Sequence, residues 1–122
     1  MNWTLDKSRP ICPQICELIC VAVANGEFSS GEKLLSVREI ALLAGVNPNT
    51  VQKSFEELER RGVIHSVRCS GWYVNENIGA ATDELKSLRK KMTEDYINEM
   101  SKLGCGLDEI IKYLNESKEG KA

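Results

Sequence analysis

The alternation of apolar and polar positions changes period along the chain, and each change predicts an element. From Ile11 to about Asn25, Cys12, Ile15, Ile19, Ala22 and Val23 recur at helical spacing, with Pro10 and Pro13 near the start and Gly26 at the end. The loop F-S-S-G-E-K-L follows. Ser36 then opens a capping box with Glu39, and Val37, Ile40, Ala41 and Ala44 give the apolar stripe of a short second helix. Ala44-Gly45-Val46-Asn47 is a tight connection into a third helix with Val51, Phe55 and Leu58 at i, i+4, i+7. Beyond Gly62, the β-rich runs V-I-H-S-V and W-Y-V flank R-C-S-G and predict a hairpin. Residues 81 to 103 carry a seam of Leu85, Leu88, Met92, Tyr96, Met100 and Leu103. Gly104 and Gly106 break it, and Leu107, Ile110, Ile111 and Leu114 form a shorter amphipathic helix. Residues 1 to 9 read as a polar lead-in in which Trp3 and Leu5 are available to pack on the core or on a partner.

The third helix has the most specific signals. Asn47 is a good N-cap, Pro48 sits where the first-turn N–H has no partner, and Val46 is placed to staple against Val51. Arg60 and Arg61 suit the last turn before Gly62 ends the helix. Asn49 and Lys53 project opposite the apolar stripe with Gln52 on its flank. Glu56 lies one turn further along that face, so only the first two turns suit a DNA groove. The expected fold is mainly α with a small β-hairpin wing: a winged helix-turn-helix over residues 1–76, then two dimerisation helices over 77–122. Two amphipathic helices with no core of their own need a surface to cover, and a second subunit is the simplest one.

Composition adjusts this picture. A hydrophobic content of 42% suits a folded chain, no stretch is long and apolar enough to span a membrane, and the N-terminus lacks a signal-peptide core, so a cytoplasmic protein is expected. The net charge of −2 argues against sequence-blind electrostatic binding. Residues 31–75 hold six Lys or Arg against five Glu, so the expected salt dependence is modest and binding relies on placement and dimerisation. Five cysteines in such a chain make a disulfide framework improbable. Cys12, Cys16 and Cys20 share one helix face with Ile15, Ile19 and Val23 and read as small buried apolar groups; the competing reading is a thiol sensor of metal or oxidant. His65 is the single histidine, no cysteine is paired with it, and no phosphate loop or ligand cluster accompanies it, so neither catalysis, a metal nor a cofactor is expected.

The run G-E-K-L-L-S-V-R-E-I-A-L-L-A-G-V-N-P-N-T-V-Q-K-S-F-E-E-L-E-R-R-G-V-I, with S-G-W-Y-V after it, resembles the winged-helix domain of the GntR superfamily of bacterial transcription regulators. The remainder is similar to the short two-helix dimerisation region of the YtrA subfamily. That resemblance implies a homodimeric repressor of an operon encoding an ATP-binding-cassette transporter, bound at an inverted-repeat operator. It also implies DNA contacts from Ser36 and Arg38 at the start of the second helix and from Asn49, Thr50 and Gln52 on the third, with Gly71 shaping the wing. In this scheme Asn49 and Gln52 read base edges while Arg38, Thr50 and Lys53 mainly hold phosphates. Asn47 at the cap and Arg68 near the wing tip complete the DNA-facing set. Three departures stand out: Leu35 replaces the usual proline of L-P-S, Pro48 occupies a position often arginine in other subfamilies, and Cys69 and Ser70 stand where glycine and a basic residue are frequent. The 47 residues after position 75 are too few for the large effector domains of other subfamilies. A small-molecule effector, if one exists, would need a compact pocket between protomers. The competing function is a winged helix used for protein interaction alone; the polar face of Asn49, Thr50 and Gln52 speaks against it.

Overall fold

The computed structural model describes residues 1–120, in two compact units: one from Met1 to Leu85 and a second beginning at Lys86. The first unit contains α1 (Ile11–Ala24), α2 (Val37–Ala44), α3 (Pro48–Arg60), the strands β1 (Ile64–Val67) and β2 (Gly71–Val74), and the opening turns of α4 (Gly79–Lys102). The second holds the rest of α4 and α5 (Leu107–Gly120). The expected winged helix-turn-helix followed by two helices is therefore the observed architecture.

Helix α3 packs against both α1 and α2. Its Val51, Phe55 and Leu58 are fully buried with Ile15, Ile19 and Val23 of α1 and Ile40 of α2. The Phe55 ring meets Trp72 of β2 edge to face, with centroids 5.4 Å apart at 78°, which fastens the wing to α3. Trp3 is also buried in this core, so the lead-in belongs to the fold.

The helix ends follow the local chemistry. At the start of α2, Glu39 N–H donates to Ser36 Oγ at 3.1 Å and Ser36 N–H donates to the Glu39 carboxylate at 3.0 Å. At the end of α3, Gly62 N–H donates to Glu59 C=O and Val63 N–H to Leu58 C=O, a pairing that requires the positive φ of 84° at Gly62.

Strands β1 and β2 pair antiparallel, Ile64 with Val74 through Val67 with Gly71. Gly71 is therefore the first residue of the strand and not part of the turn. A feature absent from the hydrophobic pattern adds to the wing: Val74 N–H donates to Glu32 C=O and Leu34 N–H to Trp72 C=O, each at 2.8 Å. With the bridge between Lys33 and Tyr73, this segment covers the second edge of β2.

In the second unit, Cys105 and Ile110 are buried, while Met92, Tyr96, Leu103, Leu107, Ile111, Tyr113 and Leu114 are 41% to 80% exposed. Among the described residues, no helix is long and apolar enough to cross a membrane.

Candidate nucleic-acid interface

The first turn of α3 is built by its cap. Asn47 Oδ1 accepts from Asn49 N–H at 2.8 Å, which satisfies one of the orphan donors of the helix start. Asn47 thus positions the helix, and its amide NH₂ remains for an outside acceptor. Asn49 and Lys53 are exposed, and their side chains make no hydrogen bond or ion pair among the described residues. Thr50 is half-buried. Gln52, also half-buried, extends its Nε2 to the Glu56 carboxylate at 3.4 Å, so the acidic group beyond the second turn holds the amide in its free state.

Arg38 and Arg68 are exposed, and neither forms an ion pair among the described residues. The other end of α3 contrasts with this. Arg60 and Arg61 both bind the Glu57 carboxylate, and Arg61 also reaches Glu84 at 3.4 Å. The side-chain hydrogen bonds from Arg60 and then Arg61 hold Glu57 down at about 2. Among the described residues of the helix-turn-helix and hairpin, the exposed donors free of ion pairs thus include Asn49 and Lys53 on the first two turns of α3, Arg38 on α2 and Arg68 on the wing, while the arginines at the far end of α3 are paired. Ser36 accepts in the capping box, which leaves its hydroxyl proton able to donate.

The wing turn is closed by Ser70 N–H donating to Val67 C=O. Cys69 takes φ 62°, a left-handed conformation that a side chain disfavours, which gives a physical reason for glycine to be common there. The Ser70 and Tyr73 hydroxyls are hydrogen-bonded to one another. His65 lies in β1, stacks on Tyr73 with centroids 6.2 Å apart, and its Nδ1 sits 2.6 Å from Asn75 Oδ1. Asn75 Nδ2 in turn donates to Gly62 C=O at 2.7 Å, tying the root of the wing to the end of α3.

Behind α3 lies a contact that the stripe of apolar residues did not reveal. Ser54 is fully buried; its hydroxyl donates to Thr50 C=O at 2.9 Å, and Cys16 Sγ donates to Ser54 C=O at 3.5 Å. Its signal was position: Ser54 stands three residues after Val51, on the same face. Cys16 and Cys20 are buried and Cys12 half-buried. Burial pushes the Cys16 thiol up to about 12 and the Cys20 thiol to about 11, far from the thiolate that metals and oxidants need. No group of His, Cys, Asp or Glu among the described residues is arranged to hold a metal ion.

Residues 13–74 match the family model described as bacterial regulatory proteins, gntR family. The sequence is 34% identical over 121 residues to YhcF of Bacillus subtilis (strain 168), an uncharacterized HTH-type transcriptional regulator, covering 98% of this chain and 99% of that protein. It is also 34% identical to the HTH-type transcriptional repressor YtrA of the same organism, over 89% of this chain and 85% of that one. A solved GntR family transcriptional regulator from Listeria monocytogenes superposes with a TM-score of 0.82 at 38% identity, covering 92% of this chain and 98% of its own. These relatives are transcription regulators, not enzymes.

Proposed function

We propose that this chain, which belongs to the gntR family of bacterial regulatory proteins and is a DNA-binding transcription regulator of YtrA-like type, works as a homodimeric repressor at an inverted-repeat operator. The observation that carries this reading is the distribution of free donors. Asn49 and Lys53 on the first two turns of α3, Arg38 on α2 and Arg68 on the wing are exposed and without ion-pair partners among the described residues, whereas Arg60 and Arg61 are held by carboxylates. Asn49 and Gln52 then read base edges, Gln52 exchanging Glu56 for a base; Arg38, Thr50, Lys53 and Arg68 hold phosphates, and Ser36, Asn47 and Gly71 fix the geometry.

In this reading residues 1–76 bind DNA and 77–122 join the protomers. The apolar side chains left exposed in the second unit, from Met92 to Leu114, support a second copy as their cover. The repressor assignment and an ATP-binding-cassette transporter operon as the target rest on the YtrA resemblance. Selection of duplexes from a random pool tests the whole: two half-sites in inverted orientation, about one helical turn or a multiple of it apart, are expected. Equal affinity for the enriched duplex and a scrambled one would remove base readout.

A second reading, a winged helix that docks a protein and not DNA, draws on Leu42 and Leu43 of α2, which are 84% and 60% exposed. Size-exclusion chromatography with and without the enriched duplex separates the two: co-elution with the duplex rejects it.

A further inference from the structure

We infer that Lys33 is a further DNA-backbone contact, a phosphate-holding ammonium set where the wing meets the start of α2; this deepens the DNA-binding reading above and rests on it. Lys33 lies outside the helix-turn-helix and outside the hairpin, in the segment that pairs with the free edge of β2. Its backbone is fixed by hydrogen bonds on both sides, Val74 N–H to Glu32 C=O and Leu34 N–H to Trp72 C=O. Its side chain crosses the wing at Gly71: a Cβ at that glycine would stand 3.1 Å from Lys33 Cε and 3.9 Å from Nζ. Gly71, at φ 137°, thus clears the path of the lysine stem as well as starting the strand.

The ammonium is exposed and lacks an ion-pair partner among the described residues, although two carboxylates are near in sequence. Both are engaged elsewhere. Glu32 accepts from Ser29 N–H at 2.9 Å and Glu39 from Ser36 N–H at 3.0 Å. The Glu39 carboxyl is held below its usual range by the backbone and side-chain hydrogen bonds of Ser36, with a smaller contribution from the Lys33 charge, which places Lys33 within electrostatic reach of the capping box. Lys33 therefore stands between two elements assigned to the DNA surface, Ser36 with Arg38 on one side and Gly71 on the other. A cation held on a paired strand loses less side-chain and backbone freedom on meeting a phosphate than one on a mobile loop.

The test measures the salt dependence of binding to the duplex enriched from the random pool, for the unaltered protein, Lys33→Met, Lys33→Gln and Lys33→Arg, with Asn49→Ala alongside. Methionine keeps the apolar stem over Gly71 and removes the charge; glutamine, read in parallel, exposes any packing defect peculiar to methionine. The expected result is a slope of log Kobs against log[salt] shallower by about 0.9 for each phosphate that is no longer neutralised. Both neutral variants should show it, Lys33→Arg should not, and the ranking of duplexes should stay the same. An unchanged slope in both neutral variants while Asn49→Ala loses binding would overturn the inference alone, as would a changed ranking of duplexes at constant slope. No enriched duplex, or no effect of any variant including Asn49→Ala, would overturn the DNA-binding reading and this inference with it.

Discussion

Asn47 and Asn49 are two residues apart, carry the same side chain and are both exposed, yet the structure gives them different work. Replacing Asn47 by Ala removes the 2.8 Å acceptor of Asn49 N–H and leaves an orphan donor at the start of α3. Loss of such a cap costs about 1 kcal/mol. For a unit of the size of Met1–Leu85, that corresponds to a fall of about 4 to 8 °C in melting temperature. Asn47→Ser keeps an acceptor and should recover most of it. Asn49 contributes only its backbone N–H to the cap, and its exposed side chain makes no hydrogen bond among the described residues. Asn49→Ala should therefore leave the melting temperature unchanged or slightly higher, since alanine favours the helix. The same change removes the amide proposed to read a base and should weaken binding to the selected duplex by about 1 to 3 kcal/mol, a factor of about 5 to 150. Circular-dichroism melts and fluorescence anisotropy on the same samples give both quantities. Full affinity in Asn49→Ala, or a melting temperature that falls as far as in Asn47→Ala, would refute this division of roles.

Other consequences follow from burial and backbone conformation. With a thiol reagent at mildly alkaline pH, Cys69 should react first while Cys16 and Cys20 stay protected until the protein is denatured. The raised values of those two thiols also set a pH window: their stabilising contribution is complete below about 9, where the unfolded thiols begin to ionise, and is lost as pH climbs towards 11 and 12. Urea unfolding across that range should show stability falling, less steeply in a Cys16→Ala, Cys20→Ala variant. Cys69→Gly should stabilise the protein by up to about 1 kcal/mol by relieving the positive φ, and an unchanged or lower unfolding midpoint counts against strain there. Ile111→Glu, on the exposed face of α5, should shift the protein from dimer to monomer in sedimentation and weaken operator binding; an unaltered protein that sediments as a monomer would reject that arrangement.

Much of the fold was legible because local chemistry and the apolar period agree. Asn47-Pro48 and Ser36 with Glu39 mark two helix starts, Gly62 marks an end, and Val51, Phe55 and Leu58 give the buried face. What stayed hidden depends on distant partners. Glu32 pairs with Val74, and four residues reading G-E-K-L have neither the length nor the alternation that announces a strand. Trp3 has no periodic neighbours to decide between the core and a partner, and Ser54 is buried with its hydroxyl on the carbonyl one turn back. At the candidate site, Asn47 as the cap and Asn49 as an exposed amide were readable from capping preference and helix geometry, but the contact of Gln52 with Glu56 depends on side-chain conformations that spacing alone does not fix.

The pairing of Arg60 and Arg61 with Glu57 and Glu84 also bears on events before the protein meets DNA. The helix dipole places partial positive charge at the start of α3, Lys53 adds a free cation nearby, and the two arginines that would pull the opposite end towards a polyanion are neutralised. On the proposed mode of binding, this uneven charge would act as a torque on the domain approaching a duplex and turn the start of α3 forward. The ion pairs at its far end would then work as a compass, shortening the rotational search most in dilute salt, where the Debye length exceeds the length of the helix.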